Sequence, residues 1–178
     1  MITAEYRELA EREIGLDLFK HFIRHQAVGD CYRKAEGRWV IVSDPFIDDW
    51  TREDYITLVK CLKNTVKTGG FVFGAFAEGK LKGFASLEKG FFGGENKYLD
   101  LSSIHVSEDL RGCGIGKRLF SMAKKRAKEM GARKLYISAH SAVESQRFYQ
   151  AMGCAEAKEY NAAHTEKEPF DCQLECEL

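Results

Sequence analysis

Three glycines alternate with other residues in Arg111-Gly112-Cys113-Gly114-Ile115-Gly116, and this stretch is where the sequence is best placed to do chemistry. A β-prone run ends just before it at Val106, and a helical pattern starts within it at Ile115. Without Cβ atoms at three positions, several backbone N–H groups can converge on one phosphate. The start of a helix adds partial positive charge to the same place. Two other phosphate loops can be tested against the residues. A P-loop would need a glycine and a hydroxyl where Arg111 and Arg118 stand. The dinucleotide fingerprint would need a third glycine where Lys117 stands, and no acidic residue follows a second strand at the expected distance. Neither fits, and a plain strand-to-helix turn is the bland alternative to phosphate binding.

The apolar pattern predicts the elements that must hold this loop. Ile14, Leu18, Phe19 and Phe22 stand at helical spacing and predict a short amphipathic helix. Trp39, Val40, Ile41 and Val42 form a β-prone run, which the turn signal Ser43-Asp44-Pro45 should end. Thr51 offers an N-cap, with Asp54 three residues on; Tyr55, Leu58, Val59 and Leu62 share the helical face that follows, and Gly69-Gly70 stops it. Runs over 71–76 and 81–87, separated by Glu78-Gly79-Lys80, read as an antiparallel hairpin. Residues 90–94 form a loop and 98–106 a strand. Ile115, Leu119, Met122, Ala123, Arg126 and Met130 then lie on one helical stripe, with Gly131 at the expected cap. A strand over 134–139, a helix over 142–152 closed by Gly153, and two terminal strands around 161–169 complete a mixed α/β order.

The 178 residues suit one domain, divided into an acceptor-side segment 1–70, a core 71–154 and terminal strands 155–178. Lys+Arg and Asp+Glu both number 27, which removes any global charge argument for nucleic acid or an anionic membrane as partner. No apolar run reaches the ~20 residues that would span a bilayer. The six cysteines are scattered, and no charged-then-apolar signal stretch opens the sequence, so they are expected as reduced thiols of a soluble, cytoplasmic protein. Cys172 and Cys176 have no second pair or histidine cluster beside them, so no metal is expected.

The loop and its flanks resemble the GNAT superfamily of N-acetyltransferases, whose signature is Arg/Gln-x-x-Gly-x-Gly/Ala. Arg111, Gly114 and Gly116 match it. Ile104-His105-Val106-Ser107-Glu108-Asp109-Leu110 resembles the strand and turn that enter the loop in that family, and the run from Ser141 to Cys154, with Phe148-Tyr149 shortly before Gly153, resembles its second helix. The resemblance covers residues 80–154 strongly and the first seventy weakly. It implies an α/β fold with a mostly antiparallel sheet splayed between two central strands, and acetyl-CoA as co-substrate. The N–H groups of Arg111, Gly112, Cys113, Gly114, Ile115 and Gly116 would hold the pyrophosphate. The edge of Ile104, His105 and Val106 would pair with the pantetheine amides by strand addition. Lys117, Ser145, Arg147 and Phe148 complete the implied coenzyme set. Tyr149 would protonate the departing thiolate.

Many relatives carry a glutamate nine residues before the loop arginine to deprotonate the amine; here Ser102 stands there. Asp100, on the same face as Ser102 in a regular strand, or water ordered by Ser102, is the expected base. His105 is a reserve candidate, reaching that face only if a bulge intervenes. Tyr149 can also be read as a core-edge aromatic, the basic run from Lys117 to Lys128 as a solvated helix face, and the acids Asp44, Asp48, Asp49, Glu53 and Asp54 as loop and helix-start residues or as an attraction for a cationic amine. The expected activity is transfer of acetyl from acetyl-CoA to a primary amine of a small molecule. A protein or peptide amine, and a non-catalytic acyl-CoA sensor, are the alternatives; assembly as a homodimer is compatible with the sequence.

Overall fold

Short β-prone runs and two long amphipathic stripes assemble into a sheet covered on both faces in the computed structural model, which describes residues 3–178. Its strands are β1 (Glu5–Glu8), β2 (His25–Ala35), β3 (Arg38–Asp49), β4 (Phe71–Ala77), β5 (Lys80–Leu87), β6 (Tyr98–Val106), β7 (Lys134–Ala139), β8 (Ala155–Glu156) and β9 (Cys172–Glu177). The α-helices are α1 (Arg52–Lys67), α2 (Ile115–Glu129), α3 (Val143–Ala151) and α4 (Ala162–Lys167). Seven strands form one sheet in the order β1-β4-β5-β6-β7-β9-β8, and β2 and β3 form a separate two-stranded sheet. Every neighbouring pair is antiparallel except β6 and β7. The architecture is the α/β fold with a mixed, mostly antiparallel sheet that the sequence pattern and the resemblance imply.

The helical stripe of α2 buries Ile115, Leu119, Phe120, Ala123 and Ala127 against Ala85, Leu99, Leu101 and Leu135 of the sheet. One glycine sets how closely α2 sits: a Cβ on Gly83 of β5 would lie 2.6 Å from Ile115 Cγ2 and 3.0 Å from Leu119 Cδ1. The start of α2 is thereby seated directly on the sheet. On the opposite face α1 packs Leu62 against Val72 and Phe84. Its start is the expected capping box: Thr51 N–H donates to Asp54 Oδ2 (2.7 Å) and Asp54 N–H to Thr51 Oγ1 (3.3 Å).

Two expectations are corrected. Residues 14–22 form no α-helix; turns of 3-10 helix occupy Glu11–Glu13 and Leu16–Phe19, and Gly15 between them is extended at φ −157°. Ile14, Phe19 and Phe22 are nevertheless buried under α1, so the apolar spacing reported burial and not helix. Residues 43–45 do not end the strand; β3 runs through them to Asp49. Val28 pairs with Phe46 and Asp30 with Ser43, so Pro45 falls at a bulge, where its missing N–H costs no ladder bond. The hairpin β2–β3 docks on the approach to α3, with Tyr32 N–H donating to Ser141 O (2.8 Å).

The terminal strands lie on either side of the short helix α4, which the apolar pattern does not foretell. Asn161 caps it by accepting from Ala163 N–H (3.0 Å). His164 Nε2 meets Asp100 Oδ2 at 2.7 Å and ties α4 to β6. No helix among the described residues is long and apolar enough to cross a membrane.

The hydrogen bond to Asp100 raises the His164 pKa above its ordinary 6.5, against the opposing effect of burial. A raised folded-state value means that the stabilisation is complete below the unfolded value and is lost as pH rises through the folded one. Wild type should therefore exceed His164→Gln in Tm at about pH 5.5, and the gap should narrow toward about pH 8.5. Thermal melts at the two values check this; no gap at the lower pH, or one equal at both values, would show that the pair does not stabilise the charged ring.

Candidate active site

Strands β6 and β7 pair only over Tyr98–Asp100 and Lys134–Tyr136, then part. β6 carries on beside β5 to Val106, whereas β7 stays with β9 to Ala139. From Leu101 onward the backbone of β6 that faces β7 has no strand partner. A bulge contributes to this: Leu87 pairs with Leu101 but Ser86 with Ser103, leaving Ser102 as the extra residue. Before the bulge Leu99 and Leu101 reach the α2 side; after it Ile104 and Val106 do. The gap is the floor of a cleft of about 790 Å³.

At one end of the cleft the chain leaves β6 and enters the glycine loop. Gly112 and Gly114 adopt φ values of +77° and +82°, a region that favours glycine. Arg118 N–H donates to Gly114 O, so the N–H groups of Ile115, Gly116 and Lys117 precede the helical ladder. Arg111, Gly112, Gly114, Ile115, Gly116 and Lys117 all line the cleft. Cys113 is exposed and does not. Arg111 folds back, its Nε donating to Val106 O at 3.3 Å.

Ile104, His105, Val106, Ser102, Ser145, Phe148 and Tyr149 also line the cleft. Phe148 and Tyr149 pack edge-on, ring centres 5.2 Å apart, and both lean on Phe120 of α2. Burial raises the Tyr149 pKa, with Cys154 and Asp171 adding to it, so the phenol keeps its proton through the neutral range. Arg147 faces a smaller hollow beside Gln26 and Val28 instead of the cleft. Asp100 lies outside the cleft lining and is engaged with His164. The same-face argument that linked it to Ser102 assumed a regular strand, and the bulge at Ser102 removes that premise.

Ser102 has a carboxylate partner of its own. Its Oγ donates to Glu88 Oε1 at 2.6 Å and lies 2.7 Å from Ser86 Oγ, while Thr65 Oγ1 donates to the same Glu88 oxygen at 2.7 Å. Glu88 follows β5 directly, so a carboxylate stands beside Ser102 although position 102 itself carries none. His105 is on the face away from α2, its ring 4.8 Å from Trp50 and 5.3 Å from Phe84. Burial, then Arg24 and Arg111, then His140, depress its pKa to about 3, so it is neutral at any ordinary pH.

Several lining residues were not foreseen: Arg24, Gln26 and Trp50 from the base of the β2–β3 hairpin, and Ser138, His140, Glu168 and Asp171 from the β7–β9 side. Of the acids between 44 and 54 only Asp48 lines the cleft; Asp44 pairs with Arg33 at 2.5 Å and Asp54 serves the α1 cap. Asp171 accepts from Ser138 Oγ at 3.1 Å, yet burial raises its pKa. Ala142 N–H donates to His140 Nδ1 (3.0 Å), so this ring nitrogen serves as an acceptor. Among the described residues no group of three or more His, Cys, Asp or Glu is arranged to hold a metal.

Comparison with known proteins agrees with this geometry. The family model for the acetyltransferase (GNAT) family matches residues 36–154. The sequence matches no protein of curated function. Among solved structures, one similar chain is a protein of Bacillus anthracis str. Ames described as a streptothricin acetyltransferase, in complex with acetyl coenzyme A (TM-score 0.75, 17% identity, 99% of each chain covered). Nourseothricin acetyltransferase is another (TM-score 0.67, 18% identity, covering 97% of this chain and 95% of that one). A third is the PaiA N-acetyltransferase of Thermoplasma acidophilum in complex with coenzyme A (TM-score 0.61, 15% identity, 99% and 100% covered). At these identities the likeness establishes the fold.

Gly114 is an N-cap whose added Cβ would meet nothing within 4 Å, so its substitution isolates backbone strain from crowding. Gly114→Ala should lower unfolding free energy by about 1–2 kcal/mol, the cost of a left-handed alanine. Urea unfolding measures it, and an unchanged midpoint would mean that the loop relaxes freely.

Proposed function

Because the chain belongs to the GNAT family of acetyltransferases, we propose that it transfers the acetyl group of acetyl-CoA directly to a primary amine of a small molecule. The observation that carries this is the parted strand β6, running bare-edged into the glycine loop at the start of α2, with Tyr149 at the wall of the same cleft. In this reading the N–H groups from Arg111 to Gly116 hold the pyrophosphate, and Lys117 adds charge. The free edge of Ile104 and Val106 pairs with the pantetheine amides, completing a ladder that β7 leaves open. Ser145 and Phe148 border the pantetheine arm, and Tyr149 stands at the thioester sulfur.

The amine must shed a proton before it can attack the thioester carbon. Ser102 takes the part expected of a base, as a relay: its Oγ accepts from the amine or an ordered water while passing its own proton to Glu88. Attack forms the C–N bond, the C–S bond breaks, Tyr149 O–H protonates the leaving thiolate, and the second proton of the attacking nitrogen restores the Tyr149 phenol as the amide forms. Neutral His105 adds no positive charge beside the amine. The small-molecule preference rests on the hairpin base: Gln26, Asp48 and Trp50 line the cleft beside His105, where a protein acceptor would need an open groove.

The test is mass-spectrometric detection of free CoA and acetylated product from purified protein, acetyl-CoA and a mixed panel of polyamines, aminoglycosides, amino acids and peptides. Product is expected from small amines. Product only from peptides would move the acceptor to the protein class, and saturable acetyl-CoA binding without product would make the chain a sensor. In the active system Tyr149→Phe and Glu88→Gln should each lower kcat by roughly 10²-fold, as loss of a general acid or base does, with acetyl-CoA affinity unchanged. Full turnover by either variant removes that residue from the mechanism.

A further inference from the structure

One side chain in the cleft wall is buried without enough partners. Arg24 is only 8% exposed, and its Nε and Nη1 groups have no hydrogen-bond acceptor among the described residues. Nη2 alone is engaged, donating to Asp48 Oδ2 at 2.5 Å. A buried donor left unpaired is costly, and a guanidinium more so than a neutral group. Burial indeed pulls the Arg24 pKa below its ordinary value, with Asp48 opposing. The fork of a guanidinium matches one chemistry well: a planar oxyanion taken by two parallel N–H bonds.

The hairpin explains how Arg24 comes to face the cleft. Gln26 and Asp48 are register partners, and Trp50 N–H donates to Arg24 O, so residues 24, 26, 48 and 50 share one face at the hairpin base. All four line the cleft. This face meets His105, which sits on the side of the sheet away from α2. Glu168 and Asp171 border the same cleft from the β9 side. The hairpin side of the cavity therefore carries the Arg24–Asp48 pair with guanidinium N–H groups unspent, and the opposite wall carries the carboxylates Glu168 and Asp171.

We propose that Arg24 binds a carboxylate of the acceptor, so that the substrate is a small amine that also bears a carboxylate, such as an amino acid or a diamino acid. This rests on the acetyl-transfer reading above and names its acceptor class. A phosphate of the coenzyme is the other oxyanion that could reach Arg24. The hairpin origin of Arg24, and its place on the face away from the α2 helix start, favour the acceptor.

The experiment compares free amino acids, diamino acids and short peptides with their own carboxamides as acceptors, in wild type and in Arg24→Met and Arg24→Lys variants, with acetyl-CoA affinity measured by calorimetry in each. Wild type should prefer the acids by roughly 10- to 100-fold in kcat/KM, as hydrogen bonds to a charged group imply. Arg24→Met should abolish that preference and Arg24→Lys retain part of it, with acetyl-CoA affinity unchanged in both. The wild-type acid-to-amide comparison needs no variant, so a misfolded substitution does not obscure it. Amides used as well as acids, or no acid used better than its amide, overturns the proposal. A tenfold loss of acetyl-CoA affinity in Arg24→Met assigns the residue to the coenzyme and also overturns it. Failure of wild type to bind acetyl-CoA at all strikes the underlying reading instead, and is seen separately in the calorimetry.

Discussion

Everything at the site depends on backbone hydrogen bonds that β6 and β7 do not make with each other. Peptide groups in a covered region must find partners, and an unpaired strand edge is a ready template for an extended ligand. Two commitments hold the strands apart. β7 is paired along its whole length with β9, and β6 keeps its register with β5 after the bulge at Ser102. Since neither strand can turn back toward the other, the opening is a property of the sheet topology and not of a mobile loop. The close seating of α2 on Gly83 then aims the helix start at the end of the same opening.

Much of this was legible where one local rule decided the outcome. The hairpin over β4 and β5, the bounds of β6 and β7, the capped start of α1 and the stripe of α2 all follow from periodicity and turn residues. The glycine loop was legible because its spacing has few structural uses. What escaped was set by tertiary partners. β2 contains Gly29, Asp30, Arg33 and Lys34, a poor strand by composition, and it exists because β3 pairs with it through a bulge that also admits Pro45. The apolar residues between Ile14 and Phe22 gave the right burial and the wrong helix, since Gly15 breaks the turn that would have joined them. The bulge at Ser102 is invisible in composition, yet it changes which side chains share a face, and so moved His105 in and left Asp100 to pair with His164.

Charge in the cleft is arranged so that little of it lies at the centre. His105, between Arg24 and Arg111, is held neutral by burial and by those two cations. Tyr149 is held protonated by burial and by its neighbours Cys154 and Asp171. In the proposed relay the departing proton travels outward, from Ser102 to Glu88 just after β5, and no carboxylate need be buried next to the reacting carbon. A carboxylate placed on β6 itself would have had to be desolvated together with its proton acceptor role, at the cost that buried single charges carry. Moving it one strand away, behind a hydroxyl, separates proton transfer from desolvation.

The two walls differ in how they are encoded. The wall around the glycine loop comes from a nearly continuous stretch, β6 through the first turn of α2, locked to the core by Leu99, Leu101, Ile115 and Leu119. The opposite wall is assembled from the hairpin base, the end of β7 and the segment before β9, which meet only in the folded protein. Changes in the first would disturb the core that seats α2. Changes in the second alter side chains at the hairpin base, at the end of β7 and in the segment before β9. Such a division lets the acceptor vary while the coenzyme geometry stays fixed. On the acceptor reading proposed above, Arg24, Asp48 and Asp171 stand on this second wall, apart from the core that seats α2.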